Sequence, residues 1–579
     1  MVKKYIMIGV KSMVGCIPES IRNKVKRWPW LTSLYSRNLQ KSGLSYGIPS
    51  KKKTAKLYEG LISKQNMSLK GMTLGIPFNV VVVVNGNSSL LNFTLEYLAD
   101  INTIETVFLL VKGEENVNYN LNNLTANLEV VSESSLDFSC DAEREINNFL
   151  VINAGDALHP LIEGAVSAFL NSSSSIGYFD SDSITSSGKR HSPKLHSDWN
   201  PDLLLSTGYI NTGLWFRSNR VFAKQARLEV SQTSIADFLA SIYLDELDMI
   251  VGHLPYVVVH SQAAADKNSF PLGPTTINKV AKYAKVTKHA QYPILKLLWH
   301  TETSPLVSLI IPTRNSRQLV KVCVESILTK TTYRNFEILL VDNQSDEQES
   351  LDYFNELNKH PQIKVLKYDQ KFNYSAINNF AVTHASGEII GLINNDIEVI
   401  EPEWLSYMVN QVNRKEIGCV GAKLLYPDGR IQHAGVVMGY GGGAGHAHKY
   451  FPREHSGYLN RLAATNCFSA VTAACLLVKK SDYLAVNGLD EINLEVAFND
   501  VDFCLKVLSL GRRNLYCAEA ILFHYESVSR GFDDTVEKRD RFEKELNYLQ
   551  KNWASIIEHD PAYSPNLTLR RENFSIKEC

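Results

Sequence analysis

The sequence predicts an α/β protein built from two tandem, mostly parallel sheets with helices on both faces. Three observations predict it. First, residues 78–84 (FNVVVVV) and 306–311 (LVSLII) are unbroken apolar runs of strand length, the pattern of a strand buried on both faces. Second, each run is followed by a stretch of helical periodicity and then by another apolar run, at 106–111 (TVFLLV) and 336–341 (FEILLV). Strands alternating with helices build parallel sheets, because a parallel partner needs a long crossover connection. Third, the two series share one element order, which reads as a diverged internal duplication.

The second series continues with a short strand at 363–366, a helix at 375–385 and a buried strand at 388–393 (EIIGLI) that ends at Asn394-Asn395-Asp396. The first runs the same way to 149–152 (FLVI) and then Asn153-Ala154-Gly155-Asp156. Between them, 261–304 shows little periodicity and reads as a linker with short helices. Beyond residue 535, VEKRDRFEKELNYLQKNW reads as an amphipathic helix, followed by the loop DPAYSPNL. The expected organisation is a basic segment (1–75), a first α/β domain (76–260), a linker (261–304), a second α/β domain (305–535) and a helical C-terminal tail (536–579).

A chain of 579 residues has room for about three domains. Its formal net charge of −1 argues against whole-chain nucleic-acid binding. The charge is unevenly spread. Residues 1–60 hold thirteen Lys/Arg against Glu19 and Glu59, a net +11. Trp28, Trp30, Leu31, Leu34 and Tyr35 interleave with these cations. Such a segment suits peripheral contact with an anionic membrane surface; the alternatives are a solvated tail or a helix docked on the acidic remainder. No window reaches the roughly 20 apolar residues of a membrane span. The stretch 5–17 is interrupted by Lys11 and lacks a small-residue cleavage site, so no secretory signal is expected. Nine cysteines without a CxxC pair fit a reducing, cytoplasmic location rather than a disulfide framework or zinc cluster.

In open α/β sheets, ligands bind beyond the carboxyl ends of the strands. Pro312-Thr313-Arg314-Asn315, Asp342 and Asn394-Asn395-Asp396 all lie at such ends. Asp396, in a polar run that continues to Glu398, offers a hard oxygen ligand for a divalent cation; the alternative is an Asx-rich turn. Asp500 and Asp502 sit in AFNDVDFCL, where apolar periodicity begins, and so at a helix start. N-capping accounts for one of them, Asp502, and leaves Asp500 free as a general base. His524 follows the apolar run 520–523 (AILF). The glycine run 439–445 (GYGGGAG), with His446 and His448, reads as a mobile lid over an acceptor or as a plain surface loop. It lacks the GxxxxGK[ST] context of a phosphate loop.

These residues fall in ordered blocks: VSLIIPTRN (307–315), EILLVDNQSD (337–346), KFNYSAINN (371–379), LINNDIEV (392–399), GAKLLYPDGRIQHAGVVMG (421–439), SAVTAACLLV (469–478), AFNDVDFCLKV (497–507) and ILFHYESVSRG (521–531). In them the chain resembles glycosyltransferase family 2, with its GT-A fold. More narrowly, it is similar to rhamnosyltransferase-like bacterial enzymes of O-antigen and surface-polysaccharide assembly. The resemblance implies a hexosyl- or rhamnosyl-transferase that inverts the anomeric centre in a single displacement. It implies Pro312, Thr313 and Arg314 at the nucleotide, Asp342 on the base or ribose, and Asn378, Asn394 and Asn395 at the donor. Asp396 matches the surviving carboxylate of the DxD position and His524 the histidine that completes an Mg²⁺ or Mn²⁺ site. Asp500 matches the catalytic base, with Asn499 in place of the preceding Glu. Glu398, His446, His448 and Asn499 are assigned to the acceptor side. The implied partners are a nucleoside-diphosphate sugar and a polyprenyl-linked glycan at the cytoplasmic face of the inner membrane. The QxxRW motif of processive synthases is absent.

The first series resembles the same family more distantly, through NAGDALHP (153–160), IGYFDSDSI (176–184) and DWNPDLLLSTGYI (198–210). Aligned with DxDD, its metal positions become Asn153 and Gly155, only Asp156 survives, and Ile235 falls near the base. This copy is therefore expected to be degenerate: a scaffold, a glycan-binding or assembly module, or an oligomerisation surface. His260 becomes a core histidine, and Asp180 and Asp182 stay open as ligands. The competing expectation is a bifunctional transferase with two active domains.

Overall fold

A computed structural model describes residues 49–578 except 71, 73–76, 85–87, 112–118, 120–123, 132–134, 138–147, 171–173, 218–226, 230–233, 248, 263–270 and 526–534, together with residues 10 and 13. The aromatic-basic stretch around Trp28, the run 5–17 apart from residues 10 and 13, and positions 526–531 of the last sequence block lie outside the described residues. The basic segment enters the described structure with helix α1 (Lys51–Leu69), capped by the Ser50 side chain on Lys53 N.

Two sheets form the body. The first contains β1 (Phe78–Val84), β2 (Ile104–Val111), β3 (Asn127–Val131), β4 (Asn148–Asn153), β5 (Asp156–Leu158), β6 (Ile176–Ile184), β7 (Leu214–Arg217) and β8 (Val251–Ser261). The second contains β9 (Val307–Thr313), β10 (Phe336–Asp342), β11 (Ile363–Lys367), β12 (Ile389–Ile393), β13 (Ile397–Val399), β14 (Ile417–Leu425), β15 (Cys475–Lys479) and β16 (Arg513–His524). The first sheet has strand order β3-β2-β1-β4-β7-β6-β8-β5 and the second β11-β10-β9-β12-β15-β14-β16-β13. These are the same path. The senses agree as well: in each sheet the first four strands are parallel, and the fifth runs antiparallel to both neighbours. The expected duplication is thus a duplication of topology, and the sheets are more mixed in sense than expected.

Side chains alternate across these strands, as the two-residue period of a strand requires. In β9, Val307, Leu309 and Ile311 join the core on one face, and Ile310 joins the core on the other. In β1, Val80, Val82 and Val84 pack one way and Val81 the other. Both faces are covered, which is why the runs are apolar throughout. The helices that matter for the site are α2 (Ile235–Asp245) in the first domain, and α3 (Tyr374–Thr383), α4 (Asn499–Ser509) and α5 (Val536–Asn552) beyond it.

The linker differs from expectation. Besides a helix at Pro274–Val280, it holds an antiparallel hairpin, Ala284–Lys288 with Leu295–Trp299. Leu295 and Leu297 are buried in the first domain's core. The alternation in LKLLW carried this strand, but five residues are too few to stand out from a linker by periodicity alone. The hairpin also brings Trp299 under the guanidinium of Arg414, 3.9 Å from its ring centroid. Arg414 in turn bonds Asp202 of the first domain at 2.6 Å, and Arg513 lies 3.4 Å from the same carboxylate. Burial alone would raise the pKa of Asp202, but Arg414 and Arg513 overcome it and hold the group below its ordinary value.

Candidate active site

The site lies beyond the carboxyl ends of β9, β10 and β12, with α4 and the end of β16 alongside. Thr313 and Asp342 close their strands, directly opposite one another in register. Both are buried. The loops that follow are laced together. The Asn315 side chain accepts from the Asp346 and Glu347 amides, at 2.9 and 3.1 Å, and Asn315 N donates to Ser345 Oγ at 2.7 Å. Asp342 Oδ1 accepts from Ser345 N at 3.0 Å. Asn395 donates to Thr313 Oγ1 at 2.9 Å, tying the third strand end to the first. Pro312 is half-buried, and Arg314 is exposed with its guanidinium 3.7 Å from Asp346. Thus Pro312, Thr313, Arg314, Asp342, Asn394, Asn395 and Asp396 are brought to one rim.

Asp396 sits in the turn between β12 and β13. His524 ends β16, paired in register with Ile397, the residue after Asp396. This pairing places Asp396 Oδ1 3.1 Å from His524 Nε2. The contact lacks hydrogen-bond geometry, and Oδ1 is a buried atom without a hydrogen-bond partner among the described residues. His524 Nδ1 lies 2.7 Å from Gln432 Oε1. Donation from Nδ1 fixes the tautomer and makes Nε2 the acceptor, which takes the Asn394 side-chain amide at 3.2 Å and also faces Asp396. A carboxylate oxygen and an imidazole nitrogen that face each other without bonding suit a shared divalent cation such as Mn²⁺ or Mg²⁺. Among the described residues no group of three or more His, Cys, Asp or Glu gathers at one point. Two protein ligands would leave positions for substrate oxygens and water. Gln432 was not singled out from the sequence; it lies within a sequence block but carries no charge or spacing signal.

Asp500 lies in the first turn of α4, half-buried. Its Oδ2 accepts from Ala473 N at 3.0 Å and its Oδ1 from Val501 N at 2.9 Å. Burial raises its pKa, against these hydrogen bonds, which lower it. Ala474 O accepts from Asn394 N at 3.0 Å, so one short backbone segment joins Asp500 to the turn that carries Asp396.

Several expectations fail. Asp502 does not cap α4. The N-cap residue is Phe498, in the left-handed region at φ 59 and without a side-chain cap. Asp502 instead accepts from Trp553 Nε1 at 2.8 Å and pairs with Lys506 at 2.7 Å. Asn378 is fully buried inside α3, its amide nitrogen on Tyr374 O at 2.8 Å, away from the open rim. Asn499 is buried and donates to Val496 O. Glu398 is held by Lys330 at 2.8 Å and Tyr525 at 2.7 Å, and the Lys330 bond keeps its pKa low. His448 is buried and stacks on Phe574 at 4.1 Å, with Nε2 accepting from Tyr458 N. His446 lies 2.9 Å from Gln432 O through Nδ1, and burial pushes its pKa down to about 3.

The glycine run is no free lid. It forms a hairpin, Val436–Met438 with Ala444–His446, closed by a turn at Tyr440–Gly442. Gly439 needs its positive φ of 90°, and a Cβ there would meet Ile557 O at 2.7 Å. The C-terminal segment pins the hairpin through Gln550 to Gly442 O at 2.8 Å and Asp560 to Met438 N at 2.6 Å.

In the first domain, Asp156 and His260 occupy the places of Asp396 and His524. His260 pairs with Ala157, the residue after Asp156. The residue types of the metal pair therefore persist, contrary to the expectation that no metal carboxylate remains. The carboxylate is consumed, however. Asp156 accepts from Asn153 N at 2.8 Å, Thr212 Oγ1 at 2.5 Å and Ser261 Oγ at 2.5 Å. Asp182 is taken by His260 at 2.6 Å, Arg190 at 2.7 Å and Tyr58. Asp180 is taken by His253 and Asn566. Helix α2 opens with Ile235-Ala236, and its first-turn carboxylate, Asp237, accepts from Gly273 N.

Residues 308–474 match the family model described as Glycosyl transferase family 2. The chain is 42% identical over 415 residues to the uncharacterized protein y4gI of Sinorhizobium fredii, covering 69% of this chain and 45% of that protein. It is 32% identical over 437 residues to the O-antigen biosynthesis protein RfbC of Myxococcus xanthus, covering 72% of this chain and 33% of that protein. It therefore spans less than half the length of either relative. Among solved structures, a mannosyltransferase of Pyrobaculum calidifontis in complex with GDP-Man and Mn²⁺ is 17% identical, covering 46% of this chain and 68% of that one, with a TM-score of 0.33.

Proposed function

We propose, from the premise that residues 308–474 match the model of glycosyl transferase family 2, that the chain moves a sugar from a nucleoside-diphosphate donor onto a hydroxyl of a bacterial surface glycan, O-antigen-like, with inversion. The observation that carries the reading is the unbonded facing pair Asp396–His524, one backbone segment away from Asp500.

Asp500 takes the proton of the acceptor hydroxyl as its oxygen bonds to the anomeric carbon. The bond from that carbon to the phosphate oxygen breaks, and the nucleoside diphosphate leaves with the electron pair. The Ala473 and Val501 amides aim the carboxylate and partly oppose the burial that raises its pKa. A cation held by Asp396 and His524 would supply neutralisation of charge on the leaving group. Thr313, Asp342 and Asn395 form the rim on which the nucleotide rests. The net +11 of residues 1–60 supports an acceptor that is lipid-linked and presented at the cytoplasmic face of the inner membrane. No described helix is long and apolar enough to cross a membrane.

Asp500→Asn and Asp396→Ala are each expected to lower transfer by at least about a hundredfold, the lower end of a general base's contribution. Transfer near the wild-type rate in both would overturn the assignment. The saturated Asp156 supports a non-catalytic first domain, with glycan binding or assembly as its role. A second linkage still formed by Asp500→Asn would instead establish two active domains.

A further inference from the structure

The internal duplication provides a comparison within one chain. In both sheets the penultimate strand bulges at the same place. In the first, Leu254 pairs with Phe179 and Val257 with Asp180, leaving Pro255 and Tyr256 without partners on β6. In the second, Cys517 pairs with Ala422 and Ile521 with Lys423, leaving residues 518–520 without partners on β14. Asp180 and Lys423 are thus equivalent, each the first residue past the bulge on the facing strand.

The two bulges are treated differently. The first is plugged. Gln65 of α1 donates to Pro255 O at 2.7 Å and accepts from Val257 N at 3.0 Å, and Asn566 donates to Pro255 O at 2.8 Å. The charge of Asp180 is met by His253 at 3.0 Å and Asn566 at 2.9 Å. The second opens into a cavity of about 200 Å³ between the linker hairpin and the second domain. At about 30 Å³ per water, that is room for one small ligand. Lys423 is 7% exposed and lines this cavity, yet no described residue gives its ammonium a hydrogen bond or ion pair. It lies over the Tyr516 ring, 5.9 Å from the centroid. Burial pushes its pKa down to about 8. Glu519 opposes that shift from a distance, but a buried cation that no hydrogen bond or close ion pair meets is costly, so an anion that meets it gains what the fold leaves unmet.

We propose that this cavity is a second binding site, distinct from the Asp396–His524 rim, for a small polyhydroxylated oxyanion such as a sugar acid or sugar phosphate. Lys423 receives the oxyanion, with Lys296 at the wall and Arg453, which also lies 3.4 Å from Glu454, beside it. Glu519, whose Oε2 already accepts from Thr465 Oγ1 at 2.5 Å, accepts from hydroxyls through Oε1, and Tyr292 and Tyr407 supply aromatic surface. The site stands independently of the transfer reading.

The test is titration of the full chain, in EDTA, with D-glucuronate, D-glucose 6-phosphate and D-glucose, followed by saturation-transfer NMR. At least one anion is expected to bind tenfold or more tighter than glucose, and which one does so separates a sugar acid from a sugar phosphate. Lys423→Met and the surface change Arg453→Ala should each weaken that anion at least tenfold, and Asp396→Ala should leave it unchanged. Should Lys423→Met fail to fold, Arg453→Ala decides. Anions no tighter than glucose, undiminished binding in the folded variants, or loss of binding in Asp396→Ala would each overturn the proposal. The last outcome would place the ligand at the donor rim.

Discussion

At the scale of single residues, the site depends on side chains whose protons and lone pairs are fixed by neighbours. Gln432 is the clearest case: it contacts no substrate in this reading, yet its bond to His524 Nδ1 decides which imidazole nitrogen faces Asp396. Partners of metal-ligating histidines typically carry about 10–100-fold in metal affinity. Gln432→Leu is therefore expected to raise the Mn²⁺ concentration for half-maximal transfer about 10–100-fold, with an unchanged melting temperature within a few degrees. Asp500 makes a second prediction. A base works deprotonated and its pKa is raised, so the acid limb of kcat/KM should lie above the ordinary aspartate value of about 3.9. A limb at or below that value would contradict the burial that α4 imposes. The same shift has a sign for stability. The folded state binds the Asp500 proton more tightly than the unfolded chain, so this group lowers stability as pH rises through its folded pKa.

At the scale of elements, the C-terminal helix α5 acts as a brace for the base. Glu545 is buried and accepts from Val496 N and Ala497 N, both at 2.9 Å, in the loop just before α4. Trp553, just past the helix, bonds Asp502 in the first turn of α4. Between these anchors Phe498 holds its left-handed φ, a conformation that costs a non-glycine residue about 1–3 kcal/mol and needs surrounding structure to persist. Glu545→Ala would strand two amides at about 1–3 kcal/mol each. We expect a matching loss of stability in urea titration and a fall in kcat larger than any change in donor KM. A variant of normal kcat would mean that α5 only covers the core. Much of this arrangement was not legible in the sequence. The amphipathic helix was, because its period is local. The binding of Glu545 to amides some fifty positions earlier was not, since nothing in either segment marks the other. The glycine run misled for a related reason: glycines that allow close approach of the tail look, in sequence, like glycines that allow motion.

At the scale of the whole molecule, two copies of one topology are locked together by Asp202, Arg414, Arg513 and Trp299. Removing one partner of a buried ion pair typically costs about 3–5 kcal/mol, because the other charge is left unmet. Asp202→Ala should cost that much and should separate one unfolding transition into two, read by urea denaturation with tryptophan fluorescence. A single undiminished transition would show that the hydrophobic contact alone joins the domains.

By itself the sequence determined the repeated strands, the polar strand ends and the identities of Asp396, Asp500 and His524. Those properties are written in local periodicity and in residue type, and so survive without three-dimensional context. Only the tertiary structure decided which of two matching Asp–His pairs keeps a carboxylate oxygen without a hydrogen bond among the described residues. Asp156–His260 and Asp396–His524 occupy the same register, yet Thr212, Ser261 and Asn153 saturate one carboxylate and leave no counterpart on the other. Hydrogen bonds between distant segments made that difference, and no window of sequence contains both ends of such a bond.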